Sequence, residues 1–174
     1  MPGGSVVNNG RVTLTIRRAE PRDYDTVGEL TVRAYTADGL SSVESDYVHS
    51  LRDAAGRGEK AELWVAVDES DRILASVTFS PPGSPYREIA REGEGEFRML
   101  AVDPPARGRG IGEALVRLCL DRSREIGDRR MVLCTQVENV NAHRLYERLG
   151  FVRLPDRDWS PVTGVNLVAF VLDY

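Results

Sequence analysis

The stretch Glu96–Glu113 (E-F-R-M-L-A-V-D-P-P-A-R-G-R-G-I-G-E) constrains the chain more than any other. It reads as a strand over Glu96–Val102, a sharp exit at Asp103-Pro104-Pro105 and an Arg/Gly turn. The turn opens into a helix on which Ile111, Ala114, Leu115, Leu118 and Cys119 repeat at i, i+3, i+4, i+7 and i+8. The first N–H groups of a helix lack intrahelical partners, and the macrodipole makes that end positive. Glycines at 108, 110 and 112 clear side chains from those N–H groups, and Arg107 and Arg109 add positive charge. The local chemistry is that of a phosphate cradle. The competing reading is a tight strand-to-helix turn whose glycines serve geometry alone.

Spacing narrows the ligand. A dinucleotide fingerprint G-x-G-x-x-G starting at Gly108 requires glycine at 113, where Glu113 stands. A P-loop requires Lys and then Ser or Thr after its last glycine, and neither follows.

The rest of the chain reads as a single α/β domain over 12–174, preceded by a disordered tail over 1–11. Val12–Arg18 alternates apolar and polar and predicts a strand. A helix then runs from Pro21 to Gly39, and a weaker one from Val43 to Ala55, punctuated by Gly56 and Gly58. Leu63–Val67 and Ile73–Phe79 form a hairpin over the turn Asp68–Asp71. Ser80–Gly95, with its prolines, is a long loop whose Glu88, Glu92 and Glu94 offer an acidic rim to a cationic substrate. Strands at Met131–Gln136, Phe151–Leu154 and Val165–Leu172 and a helix at Asn141–Leu149 complete the order, with Pro155–Pro161 as a loop.

Composition excludes several classes. Net charge is −4 and pI about 5.3, which argues against nucleic-acid binding. No apolar run approaches the roughly 20 residues of a membrane span, and the N-terminus has no secretory signal pattern. Cys119 and Cys134 make neither a disulfide framework nor a metal motif, and with only His49 and His143 no metal site is expected. A reducing cytoplasm is the expected location. Lys60 is the sole lysine among many arginines, as in a GC-rich bacterial genome.

A second stretch gives the first its partner. In Val137–Phe151 the residues Ala142, Leu145, Tyr146 and Leu149 share a helix face, and Gly150 stands at C′, where a left-handed residue closes the helix. Two patterns, R-x-x-G-x-G at Arg107–Gly112 and N-x-x-A-x-x-L-Y-x-x-x-G-F at Asn139–Phe151, lie in order about 27 residues apart. Together they resemble the signatures of the GNAT N-acetyltransferases. The resemblance covers nearly the whole domain.

That resemblance implies a GNAT fold, with a mixed, mostly antiparallel sheet of six to seven strands and about four helices. The sheet would splay between its fourth and fifth strands, here those at Glu96–Val102 and Met131–Gln136. Acetyl-CoA would lie in the opening: pantetheine along Leu100, Ala101 and Val102, and pyrophosphate on Arg107, Gly108, Arg109, Gly110, Ile111 and Gly112. Asn139 and Ala142 would complete that site. No metal is implied. The expected reaction is direct acetyl transfer from acetyl-CoA to a primary amine in a ternary complex, with Glu96 as general base and Tyr146 as general acid. An alkylamine must lose a proton against a gap of about 3.4 pKa units at pH 7, roughly 4.6 kcal/mol, so a positioned base helps. The departing thiolate gains from a nearby acid. The acceptor would be a small molecule, a protein N-terminus or a lysine, with Tyr35, Tyr47 and Trp159 as pocket walls. Glu113 and His143 are read as helix surface. A homodimer is compatible with the sequence. A non-catalytic acyl-CoA sensor is the alternative; the intact Glu96–Tyr146 pair favours the enzyme.

Overall fold

The computed structural model describes residues 5–8, 13–42 and 44–174. Among them are nine strands: β1 (Ser5–Asn8), β2 (Thr13–Arg18), β3 (Glu62–Val67), β4 (Ile73–Phe79), β5 (Glu94–Val102), β6 (Arg130–Gln136), β7 (Val152–Arg153), β8 (Trp159–Val162) and β9 (Val165–Asp173). Five α-helices accompany them: α1 (Tyr24–Ala37), α2 (Tyr47–Arg52), α3 (Ala54–Lys60), α4 (Ile111–Glu125) and α5 (Val140–Arg148). No helix among the described residues is long and apolar enough to cross a membrane.

The strands form one sheet in the order β1-β2-β3-β4-β5-β6-β9-β7, with β8 on β9. Every neighbouring pair is antiparallel except β5–β6. This is the GNAT fold expected from the sequence, and the expected fourth and fifth strands are β5 and β6. Their parallel ladder runs through Glu94–Arg130, Gly95–Met131 and Glu96–Val132. Past Glu96, residues 97–100 of β5 and 134–136 of β6 lie on opposite walls of a cavity.

Strand alternation sorts the core onto the two sheet faces. Trp64 and Ala66 of β3 pack with Ile111, Leu115 and Cys119 of α4, while Leu63, Val65 and Val67 pack with Val27 and Leu30 of α1. A strand covered on both sides reads as an uninterrupted apolar run, which Leu63–Val67 is.

The structure corrects several boundaries. Ser5–Asn8 lies antiparallel to Thr13–Ile16, inside the segment expected to be a disordered tail. Val6 and Val7 favour strand, and the Asn-Gly that follows is a hairpin signal. The remainder of that tail, and Val12, lie outside the described residues. The expected single helix over 43–55 is two: the chain bends at Asp53, whose carboxylate accepts from the Gly56 N–H (2.9 Å) and caps α3. Fully buried Arg57 locks the bend by donating to the Leu51 and Asp53 carbonyls (2.8 and 3.3 Å). Gly58 is helical because it leaves room: a Cβ there would lie 2.4 Å from the Tyr24 hydroxyl. Finally, Trp159–Val162 pairs with β9, where a loop was expected.

Candidate active site

The strand-to-helix turn has the geometry expected of an anion cradle. Gly108 and Gly110 take φ of 76° and 75°, left-handed values that a side chain resists, and Gly110 is the N-cap of α4. The first-turn N–H groups behind it face a cleft of about 430 Å³ that Gly108, Gly110, Ile111 and Gly112 line. Leu100, Ala101 and Val102 of β5 and Asn139 and Ala142 of α5 line the same cleft. A Cβ on Gly112 would sit 3.4 Å from Val102 and 3.7 Å from Leu145, occupying space between the cleft walls.

The arginines of the turn behave differently from the expectation. Arg107 lines the cleft, but its guanidinium is bound to Asp38 (2.6 Å) and to the Ala34 carbonyl (3.3 Å), tying the turn to the end of α1. The lining does not include Arg109. The cation that sequence reasoning missed is Arg148 of α5, on the cleft wall and 3.2 Å from Glu113. Glu113 is therefore a wall residue rather than plain helix surface; it also holds Arg117 at 2.8 Å, and those hydrogen bonds keep its carboxyl below the usual range. His143 is half-buried, its Nε2 3.1 Å from the Gln136 carbonyl and its ring against Phe170.

A second cavity, of about 640 Å³, opens between the parted ends of β5 and β6. Tyr35, Leu40, Leu100, Asn139 and Tyr146 line both cavities, so the two meet at Tyr146. Tyr146 is 4% exposed and packs its ring against Phe97, Phe151 and Phe170, with centroids 5.8–6.0 Å away. Burial pushes its hydroxyl well above the ordinary tyrosine range, so it keeps its proton. Asn139 spends its side-chain oxygen capping α5, accepting from the Ala142 N–H at 3.3 Å.

β5 is irregular where it passes this junction. Ser76 pairs with Ala101 but Thr78 pairs with Arg98, so β5 carries one extra residue, and Met99 takes a φ of 52°. Such a bulge turns one peptide out of the ladder beside the cavity, a place from which a backbone N–H can meet developing negative charge. Nothing in the sequence around Met99 signals it.

Glu96 departs furthest from expectation. Its side chain is fully buried and accepts from three consecutive backbone N–H groups: Glu88 (3.0 Å), Ile89 (3.3 Å) and Ala90 (3.0 Å). Burial pushes its carboxyl above the usual range, and the three N–H groups pull in the other direction. The cavity lining does not include it. Of the expected acidic rim, Glu94 is buried against Arg157, and Glu88 alone lines the cavity. Tyr35 and Tyr47 are on its wall, as expected. Trp159 is not; it stands opposite Leu167 in the β8–β9 ladder. Among the described residues, no group of three or more His, Cys, Asp or Glu gathers as a metal site would require.

A sheet splayed beside a helix N-terminus, with a buried tyrosine where two cavities meet, is the architecture of the GNAT fold. The Acetyltransferase (GNAT) family model matches residues 24–151, and the chain belongs to that family. A mycothiol acetyltransferase of Geodermatophilus obscurus is 37% identical over 105 residues, covering 59% of this chain and 32% of that protein. One of Actinosynnema mirum is 32% identical over 142 residues, covering 80% and 45%. The chain thus spans less than half the length of these relatives. A GNAT-family acetyltransferase of Staphylococcus aureus superposes with a TM-score of 0.73 at 13% identity, over 92% of this chain and 98% of that one. A PaiA N-acetyltransferase of Thermoplasma acidophilum, solved with coenzyme A, gives the same score and identity over 92% and 99%.

Proposed function

We propose that this protein transfers an acetyl group from acetyl-CoA to a primary amine. The observation that carries the reading is the junction at Tyr146, where a cleft floored by a helix N-terminus runs into a separate cavity able to admit a second molecule. The residues present fit acetyl-CoA. Leu100, Val102, Ala142 and Leu145 give apolar walls for the pantetheine arm, and the N–H groups after Gly110 suit a pyrophosphate. Ala101, Arg107, Gly108 and Asn139 complete the enclosure. Acetyl-CoA supplies the activated thioester. The chain's own work is to seat it, to bring the amine to the β5–β6 opening, and to support the charges that develop there. Tyr146 donates a hydrogen bond to the departing sulfur. The β5 bulge offers a backbone N–H to the carbonyl oxygen.

The acceptor is a primary amine on a small molecule, a protein N-terminus or a lysine. Titration calorimetry with acetyl-CoA and thiol release over a panel of amines test the reading together. Gly110→Glu places an anion in the cradle and should abolish the binding heat; wild-type affinity in that variant would move the site elsewhere. Acetyl-CoA binding with no thiol release on any amine would leave a silent sensor.

A further inference from the structure

Resting on the acetyl-transfer reading, we infer that Glu88, and not Glu96, is the carboxylate that receives the acceptor's ammonium and takes its proton, and that Glu96 is the residue that positions it. Both side chains lie near the β5–β6 opening, but the structure uses them in opposite ways.

Glu96 behaves as a fixed anion. Zero exposure and three backbone N–H donors leave it no route to a substrate that keeps those bonds. Releasing it would bury three unpartnered N–H groups, each costing on the order of 1–3 kcal/mol. What the carboxylate achieves is to gather residues 88–90 into a fixed bend. The first of those N–H groups belongs to Glu88 itself, so Glu96 sets where the Glu88 backbone stands.

The Glu88 side chain, from that anchored backbone, lines the acceptor cavity together with Tyr35, Tyr47 and Tyr146. Its Oε1 lies 2.6 Å from Nη2 of Arg98, at side-chain exposures of 21% and 17%. Arg98 is held in turn by donating to the Tyr86 carbonyl at 3.3 Å. The pair presents a carboxylate that one cation already orients and that a second can share. An ammonium entering the cavity therefore finds a directed acceptor in Glu88, in the cavity that ends at Tyr146.

The charged and titratable groups facing Glu88 come from three elements: Arg98 and Glu96 of β5, Tyr47 of α2 and Cys134 of β6. Burial raises Tyr47, and it pushes Cys134 up to about 12, so both stay neutral at working pH. Burial raises Glu88 itself, Arg98 opposes that, and the Glu96 charge adds to it. The base is thus carried toward the pH at which it must accept a proton.

The proton account closes. An N–H bond of the ammonium breaks and an O–H bond forms on Glu88. The freed nitrogen pair forms the C–N bond as the C–S bond breaks, and the new amide's surplus proton goes to the sulfur, leaving the free thiol. Glu88 returns its proton to solvent.

The test is steady-state thiol release, with acetyl-CoA and a panel comprising an amino-acid amide, a free-N-terminus peptide and an aminoglycoside, over a range of pH. Glu88→Gln should lower kcat/KM for the amine on the order of 10²-fold or more. It should leave the calorimetric Kd for acetyl-CoA unchanged and erase the acid limb of the profile. Glu96→Gln should retain that limb but move it to lower pH, because the neighbouring negative charge that raises Glu88 is gone. A merely structural role for Glu96 would change the amplitude and leave the limb in place, overturning its positioning role. If Glu96→Gln erases the limb and Glu88→Gln keeps it, Glu96 is the base and the inference fails. If wild type binds acetyl-CoA and acetylates none of the amines, the acetyl-transfer reading fails first, before either variant is compared.

Discussion

Replacing Tyr146 with phenylalanine removes one oxygen from the junction of the two cavities and little else. The ring sits among Phe97, Phe151 and Phe170 at 5.8–6.0 Å, contacts that a phenyl ring reproduces. Stability should therefore stay within about 1 kcal/mol of wild type. In the proposed reaction the loss falls on the hydrogen bond to a sulfur that becomes anionic as the C–S bond breaks. Hydrogen bonds to charged groups contribute about 1.5–3 kcal/mol, and each 1.36 kcal/mol is tenfold in rate, so kcat should drop roughly 10- to 150-fold. Tyr146 lies at the junction of the two cavities, away from the glycine turn proposed to seat the pyrophosphate, so KM for acetyl-CoA should hold within about twofold. pH supplies a second signature. Because burial keeps the hydroxyl protonated well above the ordinary value of about 10, the wild-type to variant ratio should be flat from about pH 6 to 9. Stopped-time thiol release with saturating amine measures all three quantities. A kcat within twofold of wild type would refute the donor role and leave Tyr146 as core; a ratio that varies with pH would show that the hydroxyl titrates.

Gly28→Ala should lower Tm by about 2–12 °C in a thermal melt. Its Cβ would lie 2.5 Å from the Arg52 carbonyl, a backbone atom that cannot step aside, and overpacking of this kind costs about 1–3 kcal/mol. Arg157→Met strips the main partner from Glu94, whose side chain is 6% exposed, and should cost about 3 kcal/mol at pH 7. Burial alone would raise Glu94, but the Arg157 hydrogen bonds, the Arg91 N–H and the charges of Arg157 and Arg130 together outweigh it and hold the folded value low. The pair's stabilisation is therefore complete above the unfolded value of about 4.3 and disappears as pH falls through the folded one. Chemical denaturation of both proteins should give curves that converge below about pH 4; a gap that persists there would assign the effect to packing.

The helices and central strands were legible because their signals are local. Ile111 to Cys119 carries a 3.6-residue period, Leu63–Val67 an unbroken apolar run, and Gly110 and Gly150 stand where φ is positive. Asn139 and Tyr146 followed from motif spacing and do line the junction. The fate of Glu96 was not legible, since it depends on the path of the loop over 88–90, which no pattern in that loop dictates. The Met99 bulge is a mismatch between two strands, invisible in either one. Arg148 was passed over because a cation near a helix C-terminus already has a sufficient local reason. Gly58 reads as a helix breaker because its reason for being small, room for Tyr24, is tertiary, and Gly56 leaves room for Tyr86 as well as for its own cap, Asp53.

The three-pair seam at Glu94–Glu96 has a mechanical meaning. One body of sheet, β1 to β5, and another, β6 to β9, share a short ladder, with α4 laid across both. Past that seam the two backbones are not zipped together, so the contact between the halves is weakest on the side where the cavities open. Separation of the halves there breaks fewer backbone hydrogen bonds than separation anywhere else along β6, whose opposite edge is bound to β9 through seven residue pairs. The line along which the two halves of the sheet part most easily is the line along which the cavity between β5 and β6 lies. A molecule bridging both walls acts as a rivet, and its affinity is transferred into the resistance of the sheet to parting, in proportion to RT ln(1 + [L]/Kd).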